Sequence, residues 1–168
     1  MSARRPTALA DIELLLLDVD GVLTDGRLYF SARGEAQKAF HVRDGHGIKL
    51  LMNSGVAVAV ASGRRSAAVA VRLRELGVRH VAQGCADKLE ALHRLGARLG
   101  IDPLACACLV DDTPDLPLMG AVGFAAAVAD AHPLVQSAAH WVSALPGGAG
   151  AVRELCDALL RARAAGIA

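Results

Sequence analysis

Aromatic residues, net charge and long apolar runs are all scarce in this chain. Only 3% of its 168 residues are aromatic, and its formal net charge is +1. So few rings argue against a stacking platform for single-stranded nucleic acid, and the charge gives no broad electrostatic footprint for DNA or RNA. No apolar run reaches the length of a membrane span, and the N-terminus has no apolar signal-peptide segment. We therefore expect a cytoplasmic protein that binds neither nucleic acid nor a membrane.

The four cysteines lack the spacing of a metal site or a redox motif, because they form no CxxC and no Cys/His cluster. Cys106 and Cys108 share one face of a predicted strand, where buried free thiols are the ordinary expectation. Hydrophobic residues make up 54% of the chain and charged residues 21%. This composition predicts one folded domain over residues 1–168, with a core built from Ala, Val and Leu over about 12–163.

Strand-like and helix-like segments alternate along most of the chain, which predicts a three-layer α/β/α sandwich around a parallel, doubly wound sheet. Helices end at glycines such as Gly77 and Gly100, as left-handed helix termini favour. The predicted strands are 14–17, 56–62, 78–83, 106–111, 124–129 and 140–143, and the predicted helices are about 66–76, 88–99 and 151–164.

The segment from Gly26 to Val42 interrupts this alternation. Residues 27–31 and 36–42 resemble two strands joined by residues 32–35, which predicts a β-hairpin insertion over about 26–42, directly after the first strand. Because an isolated hairpin is only marginally stable in water, we expect it to pack on another surface. With no second domain in the sequence, a partner subunit is the expected surface.

Two aspartates close the first apolar strand. Asp18 and Asp20 follow four leucines, and side chains two residues apart in a strand point to the same face. Both carboxylates are thus expected at the carboxyl end of a strand, where open α/β sheets bind ligands. Like charges placed so close are compensated by a divalent cation or by a shared proton. An Asp-rich turn that caps the next segment is the alternative.

Three more polar features follow later predicted strands: Ser62-Gly63-Arg64, Lys88, and the acidic run from Asp111 to Asp115. Each has a plain structural explanation by itself, such as a helix cap, a solvated lysine or a helix-dipole contact. Together they supply carboxylates for a metal ion and groups that neutralise an anion, at one edge of one sheet. That combination is typical of Mg²⁺-dependent phosphoryl transfer.

In this order the motifs resemble those of the haloacid dehalogenase superfamily. Within it, the chain is similar to the capless family of 3-deoxy-D-manno-octulosonate 8-phosphate phosphatases, over about residues 14–160. The more specific marks are DVDGVLTDG (18–26), FHVRDGHGIKLL (40–51), SGR (62–64), QGxxxK (83–88), VADAHP (128–133) and PGGAGAVRELCD (146–157). The resemblance implies a haloacid dehalogenase-like fold with no cap domain, and a role in lipopolysaccharide biosynthesis.

The resemblance also assigns chemical roles. Asp18 would be the nucleophile that forms an aspartyl-phosphate, and Asp20 the general acid and base. Ser62 and Lys88 would bind the transferring phosphoryl group. Mg²⁺ would be held by Asp18, by the backbone carbonyl of Asp20 and by Asp111, with Asp112 and Asp115 behind these ligands.

Substrate binding and assembly follow from the same resemblance. The hairpin would assemble a homotetramer in which each active site is completed at a subunit interface. The glycine-rich segment Gly147–Gly150 would shape a flexible tail near a neighbour's site. The implied substrate contacts are Asp20, His41, Val42, Arg43, Asp44, Gly45, Lys49, Arg64, Arg72 and Lys88, whose cations suit a sugar acid that carries a carboxylate and a phosphate.

Two other functions stay open at the level of sequence. A phosphatase of a nonulosonate 9-phosphate, of the sialic acid type, would share the mechanism. A non-catalytic assembly domain associated with a sugar-nucleotide synthetase would have no reason to retain a cluster of like charges.

The chain also departs from the family's frequent residues, since Lys49 and Ala149 stand where arginine is common, although no catalytic group is lost.

Overall fold

A computed structural model describes residues 6–166 and contains a six-stranded sheet with helices around it. The strands are β1 (Leu14–Leu17), β2 (Tyr29–Ser31), β3 (Gly34–Gln37), β4 (Ala57–Ser62), β5 (His80–Gln83), β6 (Cys106–Val110), β7 (Phe124–Ala127) and β8 (Trp141–Val142). The helices are α1 (Val42–Asn53), α2 (Ala67–Leu76), α3 (Lys88–Leu99), α4 (Leu116–Ala121), α5 (Pro133–Ala138) and α6 (Ala151–Gly166). Short 3₁₀ turns cover Leu9–Asp11, Pro103–Ala105 and Thr113–Asp115.

The main sheet confirms the predicted doubly wound architecture. Its strand order is β5-β4-β1-β6-β7-β8, and every neighbouring pair is parallel. The chain moves outward from β1 to β4 and β5, and then returns to place β6 on the other side of β1. Such a reversal of strand order leaves a crevice at the carboxyl ends of the central strands. The ends of β1 and β6 therefore lie side by side.

The core is aliphatic, as the composition predicts. The leucines of β1 are at most 3% exposed, and β6 and β7 are buried along their whole length. Strands buried on both faces need helices on both faces. Helix α1 packs on α6, and α3 packs on α4. Among residues 6–166 no helix is both long and apolar enough to cross a bilayer.

The hairpin forms, but its second strand differs from the prediction. Residues 36–42 were expected to be extended, whereas β3 covers Gly34–Gln37 and pairs antiparallel with β2. Gly34 takes a φ of +104° next to the two-residue turn, so pairing begins there, two residues early. The second strand ends at Gln37, and Val42 already begins α1, whose first turn is capped by the ring of His41.

Burial makes three of the four thiols unreactive in the folded protein. Cys106, Cys108 and Cys156 are buried, as expected, while Cys85 is partly exposed. Loss of solvation raises the pKa of each buried thiol from 9.0 to about 12. Since the thiolate is the reacting form, its fraction at pH 8 falls by about a thousandfold. We expect an aromatic disulfide reagent to titrate one thiol rapidly in the native protein and four after denaturation. A second fast thiol before denaturation would contradict this.

Candidate active site

The carboxyl ends of β1, β4 and β6 open into one cleft of about 310 Å³. All four motifs expected at this edge of the sheet contribute side chains to it. Its lining residues are Asp18, Asp20, Ser62, Gly63, Arg64, Cys85, Ala86, Lys88, Asp111, Asp112, Pro114 and Asp115. Two larger cavities lie elsewhere among residues 6–166, and this cleft gathers acidic and basic side chains from the ends of separate strands.

Lys88 joins two of the carboxylates. Its Nζ lies 2.8 Å from Asp18 Oδ1 and 2.7 Å from Asp115 Oδ2, and it starts α3 directly after the N-cap residue Asp87. Burial disfavours the charge on Lys88, but Asp18 and Asp115 outweigh that effect and raise the pKa of Lys88 above its ordinary value. Burial likewise raises the pKa of Asp115, more than Lys88 lowers it. The lysine is therefore a fixed positive charge beside Asp18.

Asp111 completes a compact acidic cluster. Oxygen atoms of Asp18, Asp111 and Asp115 all lie within 4.8 Å of one another. Burial first, and the nearby Asp18 second, raise the pKa of Asp111 from 3.8 to about 8. Such a shift is the expected result of crowding carboxylates away from water without enough positive charge. One lysine does not neutralise three carboxylates.

The cluster fits a hard divalent cation. Carboxylate oxygens are the ligands that Mg²⁺ prefers, and Oδ1 of Asp115 is buried with no hydrogen-bond partner. Asp18 and Asp111 are the residues that would hold the ion, and Asp115 lies behind them on Lys88. Asp112 is exposed instead, and its carboxylate accepts the N–H of Thr113 at 2.7 Å, which closes the 3₁₀ turn.

Gly21 leaves room for Asp111. Its φ is +92°, and a Cβ at this position would lie 2.0 Å from Oδ2 of Asp111. Glycine is therefore required at position 21 for two reasons: the left-handed backbone conformation, and the close approach of the Asp111 carboxylate. Glycine in this motif is thus explained by the site.

The glycine-rich segment 147–150 also packs on this loop. A Cβ on Gly147 would lie 1.8 Å from the carbonyl oxygen of Gly21, and the N–H of Gly148 donates to Val22 O at 2.9 Å. Asp130 accepts the N–H of Gly147 at 2.9 Å. Within this chain the segment is thus a well-packed support for the loop that carries Asp20. Its expected contact with a neighbour's site stays a prediction.

The β4 motif presents a hydroxyl and a cation. Ser62 is 3% exposed, and its Oγ accepts the N–H of Arg64 at 3.2 Å. The N–H of Cys85 donates to the carbonyl oxygen of Ser62 at 3.0 Å, which ties this turn to the one before α3. Arg64 Nε lies 3.9 Å from Asp20 Oδ2, so its guanidinium reaches the mouth of the cleft.

Two hairpin residues join the site, and neither is predicted from the sequence. Lys38 contacts the carboxylate of Asp20, and Glu35 lies 3.6 Å from Arg64. The expectation of a strand over 36–42 placed Lys38 in the middle of that strand, where it has no assigned role. The spacing of Glu35 and Lys38, an acid and a base three residues apart at the end of a hairpin, was the available signal.

The other expected substrate contacts do not line the cleft. His41 caps α1, and Arg72 pairs with Glu75 at 3.0 Å. Lys49 borders a different cavity, together with Arg79 and His80. For these residues, and for Val42, Arg43, Asp44 and Gly45, substrate contact stays a prediction.

Asp44 shows most clearly that these residues lie away from the cleft and contact other parts of the chain. It is 1% exposed, and its Oδ1 accepts the N–H of Arg153 at 2.8 Å in the first turn of α6. Burial raises the pKa of Asp44, against the lowering effect of that hydrogen bond. In this chain the side chain therefore ties α1 to α6.

Comparison with known proteins agrees with this arrangement. A family model described as haloacid dehalogenase-like hydrolase matches residues 77–153. The chain is 49% identical to the 3-deoxy-D-manno-octulosonate 8-phosphate phosphatase of Yersinia pestis over 154 residues, which are 92% of this chain and 82% of that protein.

Two solved structures are similar over nearly the whole fold. A Moraxella catarrhalis 3-deoxy-D-manno-octulosonate 8-phosphate phosphatase, crystallised with magnesium, phosphate and the sugar acid, has a TM-score of 0.89 and 40% identity, covering 95% of this chain and 93% of its own. A cobalt-bound Haemophilus influenzae phosphatase has a TM-score of 0.91 and 44% identity, covering 93% and 91%. Both bind a divalent metal, and the chain described here has an acidic cluster suited to one.

Identity of this extent over nearly the whole length shows the family. The predicted resemblance is confirmed, and so is the enzymatic class. The chain belongs to the haloacid dehalogenase-like hydrolases, within the family of the 3-deoxy-D-manno-octulosonate 8-phosphate phosphatases, and is a phosphoric monoester hydrolase.

Proposed function

We propose that the protein is a Mg²⁺-dependent phosphatase that hydrolyses 3-deoxy-D-manno-octulosonate 8-phosphate to the free sugar acid and phosphate. The observation that carries this proposal is the cleft at β1, where Asp18 and Asp111 lie beside the buried charge of Lys88. The names of the similar proteins support the choice of substrate. The whole chain, 1–168, acts as one domain in this proposal.

Asp18 is the nucleophile in the proposed mechanism. One of its carboxylate oxygens forms a bond to phosphorus while the bond from phosphorus to the sugar oxygen breaks, which gives an aspartyl-phosphate. Asp20 transfers a proton to the departing sugar oxygen. It then accepts a proton from the water that attacks the aspartyl-phosphate, and phosphate leaves with Asp18 restored. Asp20 suits this role because it lies two residues from Asp18 at the same strand end.

Positive charge around the phosphoryl group comes from the chain itself and from the ion. Lys88, 2.8 Å from Asp18, and the hydroxyl of Ser62 bind the phosphoryl oxygens in this proposal. Mg²⁺, held by Asp18, Asp111 and the backbone carbonyl of Asp20, supplies a charge that offsets the negative groups brought together. Asp115 supports these ligands through Lys88, and Asp112 does so indirectly, because it caps the turn that carries Asp115.

Recognition of the sugar acid is proposed to involve a second subunit. Arg64 borders the cleft, whereas Arg72 and the segment from His41 to Gly45 lie outside it in a single chain. A homotetramer joined through the hairpin would bring such groups to a neighbouring cleft. We place the enzyme in the cytoplasm, in lipopolysaccharide synthesis.

A phosphate-release assay over sugar acid phosphates tests substrate and metal together. We expect the octulosonate 8-phosphate to be preferred over a nonulosonate 9-phosphate by about tenfold or more in kcat/KM, equivalent to about 1.4 kcal/mol. Treatment with EDTA should remove activity, and added Mg²⁺ should restore it. A tenfold preference for the nonulosonate would overturn the substrate, and full activity in EDTA would overturn the metal dependence.

A further inference from the structure

The base of the hairpin places a buried lysine on the active site. Lys38 follows β3, and its side chain is 1% exposed. Its Nζ contacts Oδ1 of Asp20 and lies 3.3 Å from Oε2 of Glu35. A buried ammonium group is stable only beside ionised partners, so the carboxylates of Asp20 and Glu35 hold the Lys38 side chain in this position.

Glu35 is itself held in place by two residues that follow β4. The hydroxyl of Ser66, the N-cap residue of α2, donates to Oε1 of Glu35. Arg64 Nη2 lies 3.6 Å from Oε2 of the same carboxylate. The hydrogen bond from Ser66 lowers the pKa of Glu35, so this group stays ionised opposite Lys38. The second strand of the hairpin is thus attached, through Glu35, to the turn that follows β4.

These contacts distinguish the two oxygens of Asp20. Oδ1 is taken by Lys38, whereas Oδ2 is the oxygen nearer Arg64, at 3.9 Å from its Nε. An acid or base must lie within hydrogen-bond reach of the proton that it transfers, and a small misplacement is costly. Because Lys38 holds Oδ1 of Asp20, the direction in which Oδ2 points is fixed as well.

We propose that Lys38 is a positioning residue that orients Asp20 for proton transfer to the leaving group. The inference rests on the proposed function, since it assigns Asp20 the acid and base role given above. It extends that function because the hairpin, besides any part in assembly, supplies a group to the active site of its own chain.

The test compares two substrates that differ in how much the leaving group needs a proton. The sugar departs from its phosphate as an alkoxide unless its oxygen is protonated, whereas p-nitrophenyl phosphate releases the stable p-nitrophenolate without a proton. We expect Lys38→Met to lower kcat/KM for the sugar phosphate by about tenfold or more, and to change kcat/KM for the aryl phosphate by less than about threefold. Gln37→Met, an exposed neighbour on the same hairpin, is the matched control and should leave both values near those of the parent.

A double-mutant cycle separates positioning from mere support of the fold. In an Asp20→Asn background, Lys38→Met should cause no further loss of kcat/KM on the sugar phosphate, because it acts through Asp20. Equal losses on both substrates, or additive losses in the cycle, would overturn the inference. Should Lys38→Met fail to fold, Glu35→Gln removes the charged partner of Lys38, and the same unequal loss is required of it.

The outcome also separates this inference from the proposed function. If the parent and Asp18→Asn hydrolyse phosphomonoesters at equal rates, the proposed function has failed. If Asp18→Asn is inactive while Lys38→Met loses activity equally on both substrates, the role of Lys38 alone has failed.

Discussion

We expect Asp18→Asn to abolish phosphate release, with a fall in kcat of about 10⁴-fold or more. The amide has the size of the carboxylate but lacks the negative oxygen that attacks phosphorus. Lys88 keeps its contact with Asp115 at 2.7 Å, so the wall of the cleft stays in place. The substitution also removes one of three crowded negative charges, and we expect no loss of folding stability.

Two measurements check this prediction. Phosphate release is followed at saturating Mg²⁺, and acid-quenched protein is examined by mass spectrometry for one added phosphoryl group during turnover. The parent should show that group, and Asp18→Asn should not. Asp11→Asn is the control, because Asp11 is exposed in the 3₁₀ turn before β1. Turnover of Asp18→Asn within tenfold of the parent would remove Asp18 as nucleophile.

Gly21→Ala is expected to weaken Mg²⁺ activation by about 100-fold and to lower activity at limiting Mg²⁺ accordingly. The added Cβ would lie 2.0 Å from Oδ2 and 2.6 Å from Cγ of Asp111, so this carboxylate has to move. Since Asp111 is a proposed Mg²⁺ ligand, we expect its movement to change Mg²⁺ affinity far more than the free energy of unfolding. The measurement is the Mg²⁺ concentration that gives half-maximal activity.

Gly55→Ala is a closely matched control. Gly55 has a φ of +91°, almost that of Gly21, and nothing lies within 4 Å of a Cβ built on it. Both substitutions carry the strain of a left-handed backbone, about 1 to 2 kcal/mol in the free energy of unfolding. Only Gly21→Ala should alter Mg²⁺ activation. Equal effects of the two on half-maximal Mg²⁺ would show that backbone strain, and not the approach to Asp111, explains the glycine.

The strands and their polar ends were predictable because their signals are local. Four leucines before Asp18 mark a doubly buried strand, and Gly77 and Gly100 mark helix ends in the left-handed conformation. Helix α3 begins at Lys88 and ends at Leu99 as expected. In a parallel sheet, strand ends meet at one edge, so a correct assignment of strands already brings Asp18, Ser62 and Asp111 together.

Helix α1 is not predicted from the sequence, because its local signals are weak. Gly45 and Gly47 lower its intrinsic helix propensity, and His41 is an unusual N-cap. Its glycines are explained only by packing, since a Cβ on Gly45 would lie 2.4 Å from Arg72 Nη2 and one on Gly47 would lie 2.9 Å from Arg153 Cδ. Close packing against α2 and α6 allows the helix that propensity disfavours.

By itself the sequence determined the order of the strands along the chain, the residue types at their ends, and hence the class of chemistry. Those features depend on neighbours within a few positions, where periodicity and turn preference act. Only the tertiary structure decided that Lys38 and Glu35 reach Asp20 and Arg64, that Gly147 packs on Gly21, and that Asp44 ties α1 to α6. Each of these contacts joins segments that are distant in sequence and that only the packing of the whole domain brings together. No local pattern encodes which distant side chain will occupy a given position.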